Sequence, residues 1–221
     1  MPRMPTKLLV APSLLAADAA HLADEVARAE AAGADLLHLD VMDNHFVPNL
    51  TFGPQLCAAV KCAARVPVVA HLMIERPESL VGPFLDAGAD GITVHAEAPG
   101  DPLGAFEKVL AAGRRAGVAL NPDTPAEQGE RFYAQAGIVL CMTVFPGFGG
   151  QPYIPEAVRK FAYIRGRARA GAWLEVDGGL NAQTARHAVA AGANCLVAGT
   201  YLFGSKDFAA AVKLLRAAGR N

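Results

Sequence analysis

No stretch of this 221-residue chain approaches the roughly 20 consecutive apolar residues of a membrane span. The opening residues, Met1-Pro2-Arg3-Met4-Pro5-Thr6-Lys7, lack a signal-type apolar segment with a cleavage site. Basic runs are missing too, and the net charge of -1 argues against nucleic acid as the main partner. Cysteine is scarce. Cys57, Cys62, Cys141 and Cys195 form no C-x-x-C pair and no zinc-finger spacing. Their apolar surroundings read as reduced core thiols, which sets a cytoplasmic expectation. A G-x-G-x-x-G dinucleotide fingerprint does not follow the first strand-like run.

What is present is apolar residue, 52% of the chain against 19% charged, enough for one domain with a sizeable core. A weak repeat marks its organisation. Ala32-Gly33-Ala34-Asp35, Ala87-Gly88-Ala89-Asp90 and Ala191-Gly192-Ala193-Asn194 each follow a helix-like stretch and precede a short β-rich run. Glycine suits the left-handed residue that ends a helix, so the repeat marks helix-to-strand junctions. Strands are expected near 8–11, 36–41, 66–71, 91–95, 117–120, 138–143, 173–177 and 195–198. Helical patterns fall between them at 18–32, 54–64, 77–87, 102–116, 155–170, 182–191 and 207–218, with a short segment at 124–134. Asp18 is the expected N-cap of the first helix. Eight strand–helix units in this length predict a single (β/α)8 barrel of the TIM type over 1–221, with residues 1–6 a flexible leader. No linker is visible.

The polar residues are few and fall at strand ends. In His38-Leu39-Asp40-Val41-Met42-Asp43, alternation puts His38, Asp40 and Met42 on one face, and His71 and Met73 share a face in the same way. Ser13 ends the first strand and Asp177 the seventh. A barrel collects such ends at one rim. Imidazoles and carboxylates in so apolar a setting are costly unless they bind something. A divalent cation held by His38, Asp40, His71 and Asp177 is the economical reading, with zinc, iron, manganese or cobalt all compatible with that donor set. A metal-free hydrogen-bonded polar core is the alternative.

A second constellation is rich in glycine. Pro146-Gly147-Phe148-Gly149-Gly150-Gln151 follows the sixth strand, Gly178-Gly179 the seventh and Gly199-Thr200 the eighth. Glycines let backbone N–H groups approach an anion, and loops seven and eight are the usual phosphate site of a barrel. Together they predict a phosphate-bearing substrate. Met42, Met73 and Met142 are expected to line the pocket, and Glu175 to support ligands from one layer deeper. Asp43 is expected to order its loop or a ligating histidine. His45 and His95 are lesser candidates for the pocket, and His21 and His187 read as surface residues.

These motifs resemble the ribulose-phosphate 3-epimerase family across nearly the whole chain. The resemblance rests on 38–43 with His45-Phe46-Val47-Pro48-Asn49, on His71-Leu72-Met73-Ile74, on Met142-Thr143-Val144 with 146–151, and on Glu175-Val176-Asp177-Gly178-Gly179. It implies a phosphate-binding barrel that interconverts ribulose 5-phosphate and xylulose 5-phosphate. It further implies metal ligation by His38, Asp40, His71 and Asp177, with Asp40 and Asp177 as the acid/base pair. Ser13 and His71 would contact the sugar, and Gly147, Phe148, Gly149, Gly150, Gly178, Gly179, Gly199 and Thr200 would form the phosphate end. The methionines would flank the reacting carbons. Members of this family assemble to different sizes, so a homo-oligomer is expected.

Two departures stand out. Asn44 replaces the usual Gly and Thr200 the usual Ser. Asn tolerates the left-handed conformation that Gly supplies. The chemistry implied is proton removal at C3 from one face and delivery at the other, through an enediolate. A 3-epimerase for another ketose phosphate, such as allulose 6-phosphate, would share these groups. A lysine-dependent lyase would need a rim lysine, and only Lys7 comes near the register. A non-catalytic sugar-phosphate sensor would need no pair of aspartates.

Overall fold

The computed structural model describes residues 7–219. Eight strands run β1 (Leu9–Pro12), β2 (Leu37–Met42), β3 (Val68–Met73), β4 (Gly91–His95), β5 (Arg115–Leu120), β6 (Ile138–Met142), β7 (Trp173–Asp177) and β8 (Cys195–Ala198). All pair in parallel, in the order β1-β8-β7-β6-β5-β4-β3-β2. The two ends of this sheet meet. Ser13 bridges His38 in parallel at one end of the seam. At the other, Asp35 N–H donates to Val10 O over 2.9 Å, and Val10 N–H donates to Asp35 Oδ2 over 2.9 Å. Lys7 and Arg216 hold that carboxylate in turn. The sheet is therefore the (β/α)8 barrel expected from eight strand–helix units.

The helices are α1 (Leu22–Ala31), α2 (Pro54–Ala63), α3 (Pro77–Asp86), α4 (Pro102–Ala111), α5 (Glu130–Tyr133), α6 (Phe161–Ile164), α7 (Ala182–Ala191), α8 (Thr200–Phe203) and α9 (Phe208–Ala217). Pro opens α2, α3 and α4, where its missing N–H costs nothing. Asn181 and Thr184 form a reciprocal capping box on α7. At the repeated junctions, Gly33, Gly88 and Gly192 have φ of +92°, +88° and +124°, the helix-ending role read from the repeat.

Strand and helix positions match expectation within a few residues, with four differences. Asp18 caps a 3-10 turn, Ala19–His21, and α1 starts only at Leu22. The expected helix 102–116 ends at Ala111, because Gly113 turns the chain at φ +69° and Arg115 already belongs to β5. The 155–170 helix is a 3-10 segment, Pro155–Lys160, followed by one α turn. Finally, α8 was not legible in the sequence, being a single turn.

The core has two parts. Outward strand residues such as Val10, Leu39, Ala70 and Val94 pack beneath the helices. Inward residues Ala11, Leu36, Val69, Ile138, Cys195 and Val197 fill the barrel's lower interior. At its floor the Arg115 guanidinium carbon lies 3.9 Å from the Trp173 ring centroid. Cys57, Cys141 and Cys195 are buried thiols, but Cys62 is exposed on α2, contrary to the expectation of four core cysteines. Among the described residues no helix is long and apolar enough to cross a membrane. The expected leader, 1–6, lies outside the described residues.

Candidate active site

The same alternation that buries Leu36 and Val69 in the barrel sends the residues above them into its mouth. Asp40 stands opposite His71 in register, Met42 opposite Met73, and Met142 opposite Asp177. One donor atom from each of His38, Asp40, His71 and Asp177 lies within 4.8 Å of the others. His38 and His71 are wholly buried and Asp40 nearly so. Ser13 donates its hydroxyl hydrogen to Asp40 Oδ2 over 2.5 Å. The other Asp40 oxygen, Oδ1, lies 3.2 Å from His71 Nδ1 and 3.4 Å from His38 Nδ1.

Burial and charge divide the four groups. Burial alone would raise the Asp40 carboxyl, but the adjoining His38 overrides it and holds it far below the usual carboxylate range. Asp177 moves the other way, raised first by burial and then by the negative charge of Asp40. Burial works against a charged His38, yet Asp40 prevails and lifts it to about 9. His71 loses to burial and falls to about 4.

The donor set fits a divalent cation. Both ring nitrogens of His38 are buried with no hydrogen-bond partner, an arrangement that costs free energy unless something occupies them. Two neutral-capable imidazoles and two carboxylates suit a first-row transition metal. No cysteine joins the cluster, which distinguishes it from a closed structural zinc site.

Above the cluster lies a cavity of about 240 Å³, the size of a small metabolite. Ser13, Asp40, Asp177 and the three methionines Met42, Met73 and Met142 line its inner end. The outer end is built from the glycine-rich loops: Gly147, Phe148, Gly149 and Gly150, then Gly178 and Gly179, then Gly199 and Thr200 at the start of α8. A side chain at Gly179 could not be accommodated, since its Cβ would lie 2.6 Å from the Tyr153 backbone nitrogen and φ there is +64°. The 146–151 loop is tied down at two points. Asn49 Nδ2 donates to Gly147 O over 2.7 Å, and Gln151 Nε2 donates to the carbonyls of Phe145 and Phe148.

The remaining candidates sort clearly. His71 is among the cluster but is wholly buried and does not line the cavity. Glu175 makes no hydrogen bond to a ligand: one oxygen accepts from Cys195 Sγ and the other has no partner, correcting the supporting role expected for it. Asp43 orders its loop by accepting from the backbone N–H groups of His45, Phe46 and Glu75. Asn44 takes φ +60°, the left-handed value anticipated for it. His21 and His187 are on the surface, and His45 is exposed. Lys7 sits at the opposite end of the barrel with Asp35, and the residues lining the cavity include no lysine. His95 is buried against His71, and its partner Glu97 escaped sequence reasoning. The signal was there: His95-Ala96-Glu97 has the spacing of two inward side chains at a strand end.

A family model described as the ribulose-phosphate 3 epimerase family matches residues 9–203. The chain belongs to this family. The ribulose-phosphate 3-epimerase of Mycobacterium tuberculosis is 44% identical over 211 residues, covering 94% of this chain and 91% of the relative. That of Bacillus subtilis is 43% identical over 211 residues, with 94% and 97% covered. Among solved structures, 3-hexulose-6-phosphate synthase superposes with a TM-score of 0.68 at 28% identity, covering 96% of this chain and 99% of its own. The epimerase family's match spans all eight strands and ends at the last residue of α8, so it includes the whole barrel mouth.

Proposed function

We propose that this chain is an isomerase that interconverts D-ribulose 5-phosphate and D-xylulose 5-phosphate by moving a proton at C3. The observation that carries the reading is the placement of Asp40 and Asp177 on one cavity, where burial and neighbouring charge push their carboxyls in opposite directions. Carboxyl groups whose surroundings drive them apart are suited to act as base and acid. They come from β2 and β7, three strands apart by the short way round, and so approach a bound sugar from different sides.

In this reading the sugar lies across the methionines with its phosphate against the 147–150, 178–179 and 199–200 backbone. Asp40, ionised, takes the C3 proton from one face and leaves an enediolate. Asp177, protonated, returns a proton to the other face. The pair then holds the same single proton in the reverse arrangement, ready for the opposite direction. Ser13 steadies Asp40 through its hydroxyl and lies beside the sugar. His38, Asp40, His71 and Asp177 would hold one divalent cation, zinc, iron, manganese or cobalt, which supplies positive charge against the charge developing on the substrate oxygens. Enclosure by the 146–151 loop keeps water from the enediolate. Four unbridged cysteines suit a reducing, cytoplasmic setting.

Proton NMR of ribulose 5-phosphate in D2O with metal-loaded protein tests the proposal. Deuterium at C3 together with xylulose 5-phosphate is the expected result. Absence of both, in folded and metal-loaded protein, would overturn it.

A further inference from the structure

A chain of hydrogen-bonding groups leads away from the cation cluster through residues that do not line the cavity. His71 Nε2 lies 2.9 Å from His95 Nε2, and the two rings stack with centroids 5.0 Å apart. His95 Nδ1 lies 3.2 Å from Glu97 Oε2. The second Glu97 oxygen accepts the Asn121 backbone N–H over 2.7 Å. His95 is wholly buried, with the Phe46 ring on its flank at 4.9 Å.

We propose that Glu97 and His95 are positioning residues that fix the tautomer of His71, so that its Nδ1 is bare and aimed at the cation site. The inference deepens the metal reading above and rests on it. A carboxylate only accepts, so His95 Nδ1 carries a hydrogen and donates it to Glu97. A ring that carries its one hydrogen on Nδ1 has a bare Nε2, the form we assign to His95. Two bare nitrogens cannot face each other at 2.9 Å, so His71 Nε2 carries the hydrogen and donates it to His95. That leaves His71 Nδ1 with a lone pair directed toward Asp40 Oδ1, 3.2 Å away. Two acceptors at that distance are stabilised by a cation bonded to both. Metal-bound imidazoles regularly donate their other N–H to a fixed acceptor, which sets ring orientation and ligand basicity. Here the acceptor is a second imidazole, itself set by a carboxylate that backbone anchors.

Two measurements test this. Long-range proton–nitrogen NMR of the zinc-loaded protein reads ring protonation directly. A hydrogen on His71 Nε2 and on His95 Nδ1 is expected; a hydrogen on His71 Nδ1 would overturn the proposal. Zinc affinity of metal-stripped protein, by competition with a chelator, reads the consequence. Glu97→Gln leaves one carbonyl where Asn121 N–H and His95 Nδ1–H both need an acceptor, and is expected to weaken zinc binding by about 10- to 100-fold. His95→Leu should weaken it comparably, while His95→Gln, whose carbonyl can accept from His71, should stay within about threefold of the unchanged protein. Glu97→Gln binding zinc as tightly as the unchanged protein, with the fold intact by circular dichroism, would overturn the relay. Failure of the unchanged protein itself to bind zinc would instead overturn the metal reading on which the relay depends.

Discussion

Asp40 and Asp177 face one cavity from β2 and β7, and their surroundings drive the two carboxyls in opposite directions, Asp40 down and Asp177 up. This division of labour makes the two asparagine variants unlike. Both should lower kcat/KM by about 10² to 10⁴. Asp177→Asn retains the ionised base, so one of the two epimers should still exchange its C3 hydrogen with D2O while no epimer forms. Loss of exchange for both epimers in Asp177→Asn, followed by NMR, would contradict the assignment.

Metal binding should release protons. His38, lifted to about 9, is protonated at neutral pH in the metal-free protein and must lose that proton to become a ligand. The aspartate pair keeps its one shared proton. Calorimetry in buffers of different ionisation enthalpy should therefore report about one proton released per cation near pH 7. The sign follows: protons compete with the cation, so apparent zinc affinity should rise about tenfold for each pH unit between 6 and 8. A pH-independent affinity would contradict the protonation assigned to His38.

Asn49 joins the loop after β2 to the loop after β6 through Gly147 O. Removing that donor in Asn49→Ala should loosen the 146–151 loop more than it disturbs the aspartates. The expected result is a rise in KM of about fivefold, the equivalent of about one hydrogen bond, with a smaller change in kcat. An equal fall in kcat with unchanged KM would place Asn49 in the chemistry instead.

At Gly179 the backbone is left-handed and pressed against Tyr153. Gly179→Ala should destabilise the protein by about 1–3 kcal/mol, seen as a fall of several degrees in Tm, and should raise KM for the sugar phosphate. An unchanged Tm would show that the loop after β7 can open without cost.

The barrel and its cation cluster were legible because both depend on period. Alternation along His38-Leu39-Asp40 and 71–73 assigned the inward face, and the Ala-Gly-Ala repeat marked where β2, β4 and β8 begin. Gly91–His95, Trp173–Asp177 and Cys195–Ala198 were bounded by sequence to the residue. Less was legible where tertiary contacts decide. The stretch after Pro155 has helical composition but forms mostly 3-10 turns, and Cys62 has apolar neighbours in sequence but faces outward on α2. Glu175 has the right parity for a supporting role, yet depth in the barrel, which period does not encode, gives it Cys195 as a partner. The Glu97–His95–His71 relay crosses from β4 to β3, and pairing across strands is invisible until the register is known.

The barrel's seam has a consequence for its endurance. Every other strand junction is a ladder of paired residues, but β1 meets β2 through Asp35 and through Ser13, which bridges His38 and donates to Asp40. The upper fastening of that junction is built from the same residues that gather around the cation cluster. A cation held there would link β2 and β3 to β7 across the weakest joint of the cylinder, acting as a rivet as well as a charge. Stripping the metal should then fray the molecule at this joint first, with amide exchange accelerating along β1 and the start of β2 before it does anywhere on the opposite wall.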